Sequence, residues 1–308
     1  MRRRSHSVTR PASVLAALAL LACLAAPATP AGAAPARLSP ATPAASGEAD
    51  RIAAYWTAAR MLATPPLAAP RGERPLANAS FAPVAAPAEP PNAVNGRLFV
   101  LQGGKRGHCS ATAIDTPSRR LVLTTAHCLN SGPRGRRGRS SWSRYVEFVP
   151  AFANGTAPFG AFVARRNDLF VPRQWVKFGN PNFDIGAILT APNAEGLNVA
   201  DAVGGVTIAL DRSRRQEFQT FGYPGKSTVM QECASPYVGD DVITYRIPGP
   251  PTIAVRCHWA PGASGGGWLI EGGSQINGVT SYGKRRNRIN TFSPYFSQAT
   301  VGRLVAGL

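Results

Sequence analysis

Histidine is scarce in this chain, and its distribution decides more than its number: His6, His108, His127 and His258 are the only four in 308 residues. No imidazole is available downstream of residue 258. Acidic residues are few as well, 16 Asp and Glu against 34 Lys and Arg, for a formal net charge of +18. Such a field favours electrostatic association with anionic surfaces: cell-envelope polymers, acidic proteins or, non-specifically, nucleic acid. No motif of a nucleic-acid-binding module accompanies the charge, so no specific nucleic-acid partner is expected. Cysteine is limited to five residues, none with the paired C-x₂₋₄-C spacing of structural zinc sites. Long apolar runs are missing too: Val14–Ala26 is too short to cross a bilayer, and no other run is long enough for a membrane helix.

What stands around Val14–Ala26 gives that stretch a meaning. Arg2-Arg-Arg4 and Arg10 precede it and Ala31-Gly-Ala33 follows it, the layout of a secretory signal peptide over residues 1–33. Secretion is therefore expected. Leu20-Leu-Ala-Cys23 also fits a lipoprotein acylation site, so anchoring at Cys23 is the alternative. Loss of the leader leaves Cys109, Cys128, Cys233 and Cys257 in an oxidising compartment, and two disulfides are expected. The competing reading is a zinc site from His108, Cys109, His127 and Cys128. No metal and no cofactor is expected.

Residues 34–94 are dominated by Ala and Pro, a composition that cannot build a packed core. Glu48–Ala63 breaks the pattern: Ile52, Tyr55 or Trp56, Ala59 and Leu62 recur at helical spacing and predict a short amphipathic helix near 48–63. The segment reads either as a pro-region that docks on the following domain or as a linker. From Asn95 the character changes. Arg97–Leu101, Ala111–Ile114, Leu121–Thr124, Tyr145–Val149 and Val206–Leu210 read as short strands between Gly, Pro and Asn punctuation. That spacing predicts an all-β barrel or sandwich domain over 95–308, a length that suits two barrels of roughly 100 residues each.

Ser264 lies in Cys257-His-Trp-Ala-Pro-Gly-Ala-Ser-Gly-Gly-Gly-Trp268. A serine among glycines suits a tight turn whose N–H groups face a reacting oxygen. A serine hydroxyl needs a base, and imidazole is the usual one. His127 stands in Leu121-Val-Leu-Thr-Thr-Ala-His-Cys128, and Asp184 in Asn182-Phe-Asp-Ile-Gly-Ala-Ile-Leu189. A carboxylate in an apolar stretch requires hydrogen-bond donors; orienting a catalytic imidazole would meet that need, and capping a turn at a strand end would too. Gly262-Ala-Ser-Gly-Gly266 also satisfies the nucleophile elbow of α/β-hydrolases, but that fold places its histidine after the serine. None follows Ser264. The order His127, Asp184, Ser264 is that of chymotrypsin-like enzymes.

Three blocks, Thr124-Thr-Ala-His-Cys128, Phe183-Asp-Ile-Gly-Ala187 and Pro261-Gly-Ala-Ser-Gly-Gly266, resemble the active-site blocks of trypsin-like (chymotrypsin-fold) serine peptidases. Cys109-Ser-Ala-Thr-Ala113, Phe148-Val-Pro-Ala-Phe152 with Pro158-Phe-Gly160, and Phe221-Gly-Tyr-Pro224 look like the secreted bacterial branch that includes glutamyl endopeptidases. The resemblance covers roughly residues 95–308. It implies a double six-stranded β-barrel with a boundary near residue 200, and Val301, Leu304, Val305 and Leu308 fit its closing C-terminal helix. It implies the disulfides Cys109–Cys128 and Cys233–Cys257, each contributing on the order of 3 kcal/mol through the unfolded chain. Tyr55-Trp-Thr with Arg60-Met61 resembles a motif ahead of the protease domain in secreted relatives.

Carried over by the resemblance, Ser264 is the nucleophile, His127 the general base and Asp184 its orienting carboxylate, with the N–H groups of Gly262 and Ser264 as the oxyanion hole. Ser281 matches the serine that supports the aspartate, and the backbone of Ser281, Tyr282 and Gly283 would pair with substrate as an added strand. The chain departs from the pattern at Ala263, where vertebrate members carry an aspartate that latches a freed amino terminus. Gly267 replaces a common proline. Trypsin-type cleavage wants an acid where His258 stands, and glutamate-specific relatives use a histidine where Thr280 stands, so specificity stays open. Residues 95–308 hold 25 Lys and Arg against 12 Asp and Glu. Arg134–Arg139 and Lys284–Arg288 are the densest basic runs and read as exposed loops. The expected activity is that of a monomeric serine endopeptidase acting on protein or peptide substrates. The alternative is a catalytically inactive, protease-like basic module on anionic cell-envelope polymers.

Overall fold

Two antiparallel-rich sheets follow one another along the chain in a computed structural model that describes residues 46–67, 81–133, 140–284 and 290–308. All of these fall in the unit Leu38–Leu308. The expected leader with Cys23, the arginine run 134–139 and residues 285–288 of the second basic run lie outside the described residues. None of the described helices is long and apolar enough to cross a membrane.

Strand β1 (Ala82–Pro83) belongs to the second sheet. The first sheet uses β2 (Asn95–Gln102), β3 (Lys105–Ala113), β4 (Leu121–Thr124), β5 (Arg144–Pro150), β6 (Phe162–Ala164), β7 (Leu169–Phe170) and β8 (Gly186–Leu189), in the order β6-β5-β2-β3-β4-β8-β7. Gly103 and Gly104, with φ of +59° and +78°, join β2 to β3. Two successive positive φ angles give the turn whose twist matches a tight hairpin. The register therefore runs unbroken from Asn95↔Thr112 to Gln102↔Lys105.

The second sheet uses β9 (Thr207–Ile208), β10 (Glu217–Gly222), β11 (Gln231–Asp240), β12 (Ile253–Val255), β13 (Gly267–Ile270), β14 (Gln275–Val279), β15 (Tyr282–Gly283) and β16 (Thr291–Ser293). Its order is β15-β16-β12-β11-β10-β13-β14-β9, with β1 on β11. The architecture is a double β-barrel. Each sheet contains six strands of three or more residues. The two-residue strands β7 in the first, and β1, β9 and β15 in the second, bring the counts to seven and nine. Of the predicted strand 206–210 only β9 forms, because it meets β14 in parallel through just two register pairs. At the carboxyl end Gln298–Gly302 winds as a wide helical turn into the short helix Arg303–Val305, with Val301 fully buried.

Helices α1 (Ser46–Tyr55) and α2 (Ala58–Leu62) occupy the segment ahead of the barrels. The chain breaks between them at Trp56 and Thr57, where the Thr57 side chain accepts from the Arg60 N–H and caps α2. That break resets the helical phase. Ile52, Trp56 and Met61 are buried, whereas Ala59 and Leu62, which an unbroken helix would also bury, face outward. Trp56 Nε1 donates to the Tyr145 carbonyl at 2.6 Å, and its ring lies 5.4 Å from that of Phe99. Successive side chains alternate across a strand. Arg97 and Phe99 of β2, with their register partners Ser110 and His108 of β3, therefore share one face, on the side covered by Trp56.

Glu147 stands opposite Phe99 in the β2–β5 register. It is 1% exposed, and its Oε2 has no hydrogen-bond partner among the described residues. Burial pushes its carboxyl up from 4.5 to about 8. Within that window the folded chain holds a proton that the unfolded chain has lost, so stability falls as pH rises through it and the penalty is absent below it. Glu147→Gln should therefore remove part of the decline in thermal midpoint between about pH 5 and about pH 9. Equal pH dependence in the variant and the parent would show that Glu147 does not titrate in this way.

Candidate active site

Pairing of β4 with β8 sets the first half of the site. Thr124 lies opposite Gly186, so the residues just after β4 and just before β8 emerge at the same end of the pair. After β4 the chain turns into the one-turn helix α3 (Ala126–Leu129), which carries His127. Before β8 the turn Pro181–Phe183 delivers Asp184. A side chain at Gly186 would come within 2.7 Å of the Leu129 side chain and 2.9 Å of the Thr125 carbonyl, so glycine is what lets α3 sit on β8.

The two residues meet twice. Asp184 Oδ1 accepts the His127 backbone N–H at 2.9 Å, and Oδ2 lies 2.8 Å from His127 Nδ1. Ser281 Oγ donates to the same Oδ2 at 2.6 Å. A carboxylate only accepts, so Nδ1 carries the proton and the lone pair sits on Nε2. That nitrogen is buried and has no hydrogen-bond partner among the described residues. The Trp175 ring stands 6.2 Å from the imidazole, fixed by its Nε1 donating to Asn130 O at 2.8 Å.

The serine turn is built from the second barrel but seated on the first. Ala260-Pro-Gly-Ala263 has proline second and glycine third, and Gly262 takes φ +99°, as a type II turn requires. The Ala263 N–H donates back to Ala260 O at 3.2 Å. Ser264 O then accepts the Ser110 N–H at 2.7 Å, while Ser110 Oγ donates to Gly262 O at 2.9 Å and accepts the Tyr223 N–H at 2.9 Å. Ser264 O also lies 3.8 Å from Cys128 Sγ, next to His127. The N–H groups of Gly262 and Ser264 donate to no acceptor among the described residues, which leaves two dipoles free at the turn.

Thr280 braces the turn from behind. Its carbonyl accepts the Gly265 N–H at 2.7 Å, its N–H donates to Gly266 O at 2.9 Å, and its hydroxyl accepts from Trp268 Nε1 at 2.9 Å. Tyr282 and Gly283 form β15, which ends the sheet order and pairs with Phe292 and Thr291 of β16. The Tyr282 hydroxyl reaches Asp241 and Thr252 at 2.7 and 2.8 Å. His258 is half-buried between Cys257 and Trp259, ahead of the turn.

Both disulfides, Cys109–Cys128 and Cys233–Cys257, are formed. The donor atoms of Cys109, His127 and Cys128 lie within 4.8 Å of one another, but the two sulfurs are bonded to each other and leave no thiolate for zinc. The His108 nitrogens face Arg97 and main-chain carbonyls instead. Ser110 is the site residue that the sequence did not single out. It stands in the Cys109–Ala113 block, and nothing local shows that it binds a turn 152 positions away.

No protein-family model matches the sequence, and no curated protein matches it. Solved structures do. The crystal structure of the protease Anisep from Arthrobacter nicotinovorans is 28% identical, with a TM-score of 0.61 over 71% of this chain and 98% of that one. A thermostable serine protease, AL20, from an extremophilic microorganism is 24% identical, with a TM-score of 0.60 over 69% of this chain and 95% of that one. A Glu endopeptidase in complex with MPD is 20% identical, with a TM-score of 0.58 over 74% of this chain and 95% of that one. The fold is the double β-barrel of the chymotrypsin-like serine proteases. Its structural neighbours are bacterial proteases of that fold, which supports a peptidase function.

A Cβ at Gly266 would lie 1.8 Å from Phe221 O and 3.1 Å from Ala263 O, both main-chain atoms that cannot swing aside. Gly266→Ala should lower the thermal midpoint by roughly 5 °C or more, the scale of a severe packing defect. A midpoint unchanged by the substitution would contradict the close approach of β10 to this turn.

Proposed function

We propose that the chain is a secreted serine endopeptidase, allied to the glutamyl-endopeptidase branch, that hydrolyses protein or peptide substrates through an acyl-enzyme. The observation that carries this reading is the doubly bonded His127–Asp184 pair, whose buried Nε2 holds its lone pair without a partner. Ser264 attacks the scissile carbonyl as Nε2 takes its proton, and the imidazolium later returns that proton to the leaving amine. Asp184 orients the ring and stabilises the imidazolium, with Ser281 holding the carboxylate from the other barrel. The two free N–H groups at Gly262 and Ser264 donate to the developing oxyanion, an arrangement worth several kcal/mol when pre-formed. Substrate adds as a strand along Ser281–Gly283.

A fluorophosphonate probe tests the nucleophile. Stoichiometric labelling is expected, abolished by Ser264→Ala and slowed by about 10⁴-fold in Asp184→Asn, where the wrong tautomer is favoured. A folded, disulfide-bonded chain that never labels, yet binds anionic polymers, would establish the inactive module instead. Because the base must be unprotonated, labelling should accelerate from acidic towards neutral conditions. A flat profile from about pH 5 to about pH 8 would remove His127 from that role.

A further inference from the structure

Ala263 gives the serine turn no acid to latch, so other groups must hold the Gly262 peptide in place. They come from β3 and from the segment ahead of the barrels. The Gly262 Cα rests on the ring of His108: a Cβ there would stand 2.5 Å from His108 Nε2 and 2.6 Å from Tyr223 O. His108 is fully buried. We propose that His108 is a positioning residue for the oxyanion turn and that Thr64–Leu67 is the clamp that holds it, making the amino-terminal segment a working part of the enzyme; the catalytic half of this statement rests on the peptidase reading above.

The protons fix the arrangement. Arg97 can only donate, and its Nη2 lies 2.9 Å from His108 Nδ1, so Nδ1 carries the lone pair and Nε2 the hydrogen. Nε2 then donates to Tyr223 O at 3.2 Å. The Tyr223 N–H donates to Ser110 Oγ, which donates in turn to Gly262 O. The circuit runs from His108 through Tyr223 and Ser110 to the carbonyl of Gly262, the residue whose own N–H faces the site. Burial, then the nearby Arg97 charge, push His108 down to about 3, so the ring is neutral at neutral pH.

The clamp grips the backbone of the same residue. The His108 N–H donates to Pro65 O at 3.0 Å, and the Leu67 N–H donates to His108 O at 2.9 Å, which makes Pro66 a parallel bridge partner of His108. Thr64 O lies 3.1 Å from Nδ1 but finds no hydrogen there, so the grip is on the backbone, and Leu67 lies over Gly107, where a Cβ would meet its side chain at 2.7 Å. Met61 and Trp56, both buried, anchor the segment upstream. A disposable linker has no reason to bond both main-chain groups of the residue beneath the oxyanion turn.

Hydrogen exchange and probe kinetics on the full chain test this. Leu67→Pro deletes the N–H that the clamp donates to His108 O together with the leucine side chain over Gly107, and His108→Leu removes the ring's polar contacts while His108→Gln retains a donor and an acceptor. In Leu67→Pro and His108→Leu, amides of Ala260–Gly266 should exchange about tenfold faster with those of β14 unchanged, and His108→Gln should restore most of the protection. The maximal fluorophosphonate rate should fall about tenfold or more in the same two variants, with probe affinity unaltered. If His108→Leu fails to fold, Leu67→Pro decides. Unchanged exchange at Ala260–Gly266 in Leu67→Pro overturns the clamp, as does a chain freed of residues 46–67 that labels at the full rate. Parent protein that never labels defeats the peptidase reading alone, since exchange still judges the clamp.

Discussion

Asp184 is a buried carboxylate that finds its donors in two different barrels, and the rest of the site follows from that requirement. Two donors come from His127, which the β4–β8 pair brings to it within the first barrel. The third is Ser281, between β14 and β15 of the second barrel. A buried charge short of a partner is costly, so full satisfaction of Asp184 selects the closed arrangement of the two sheets. Asn182, two residues earlier, reinforces the same closure: its Nδ2, with two hydrogens to donate, lies 3.2 Å from the carbonyls of Thr244 and Pro248 and 3.3 Å from that of Gly249. The imidazole is oriented as a by-product of satisfying the carboxylate. Structural and chemical demands on this residue coincide.

How far the sequence could disclose this varies with the range of each interaction. Leu121–Thr124 reads as a strand because four apolar and β-branched residues are bounded by polar ones, and β4 has those same limits. The placement of His127 and Asp184 beside Ser281 was legible through the blocks that contain them. The two-residue strands β1, β7 and β15 were not, because their pairing is decided by the partner strand and carries no periodicity of its own, and β9 was read too long for the same reason. The helical segment was half legible. Spacing at 3.6 residues pointed to Ile52 and Trp56, but the Thr57 cap shifted the phase so that Met61, not Leu62, turned inward. Spacing alone also could not tell a docked helix from a linker, since both present one apolar stripe.

Ser110 and His108 mark the other limit. Their chemistry is unremarkable in sequence: one follows and one precedes a disulfide cysteine. Their effect depends on a face of β2 and β3 that is covered on one side by Trp56 and Thr64–Leu67 and meets Tyr223 and Gly262 of the second barrel. Arg97 sits on that face, nearly fully buried, with Nε and Nη1 unpartnered among the described residues. Its guanidinium carbon stands 5.2 Å from each of the Phe99 and Phe152 ring centres, so aromatic faces stabilise a cation that hydrogen bonds do not fully satisfy. Such a charge needs a neutral His108 as its acceptor, and burial keeps the ring neutral.

The glycines around Ser264 then acquire a second explanation. A glycine-rich loop around a serine suggests freedom of the backbone, and at Gly262 a positive φ does require it. At Gly265 the demand is also for space: a Cβ would fall 2.0 Å from Thr124 Oγ1 and 2.3 Å from Ser110 O, both on the first barrel. At Gly266 the obstacle is Phe221 O of β10. Each glycine is therefore matched to a different neighbour, and two of the three neighbours belong to strands that precede the serine by more than a hundred residues in sequence. The run records how tightly the first barrel closes on the turn. A serine on a loosely held glycine loop would lack fixed N–H groups, whereas here the same contacts that forbid side chains also immobilise the turn that the proposed mechanism assigns to the oxyanion.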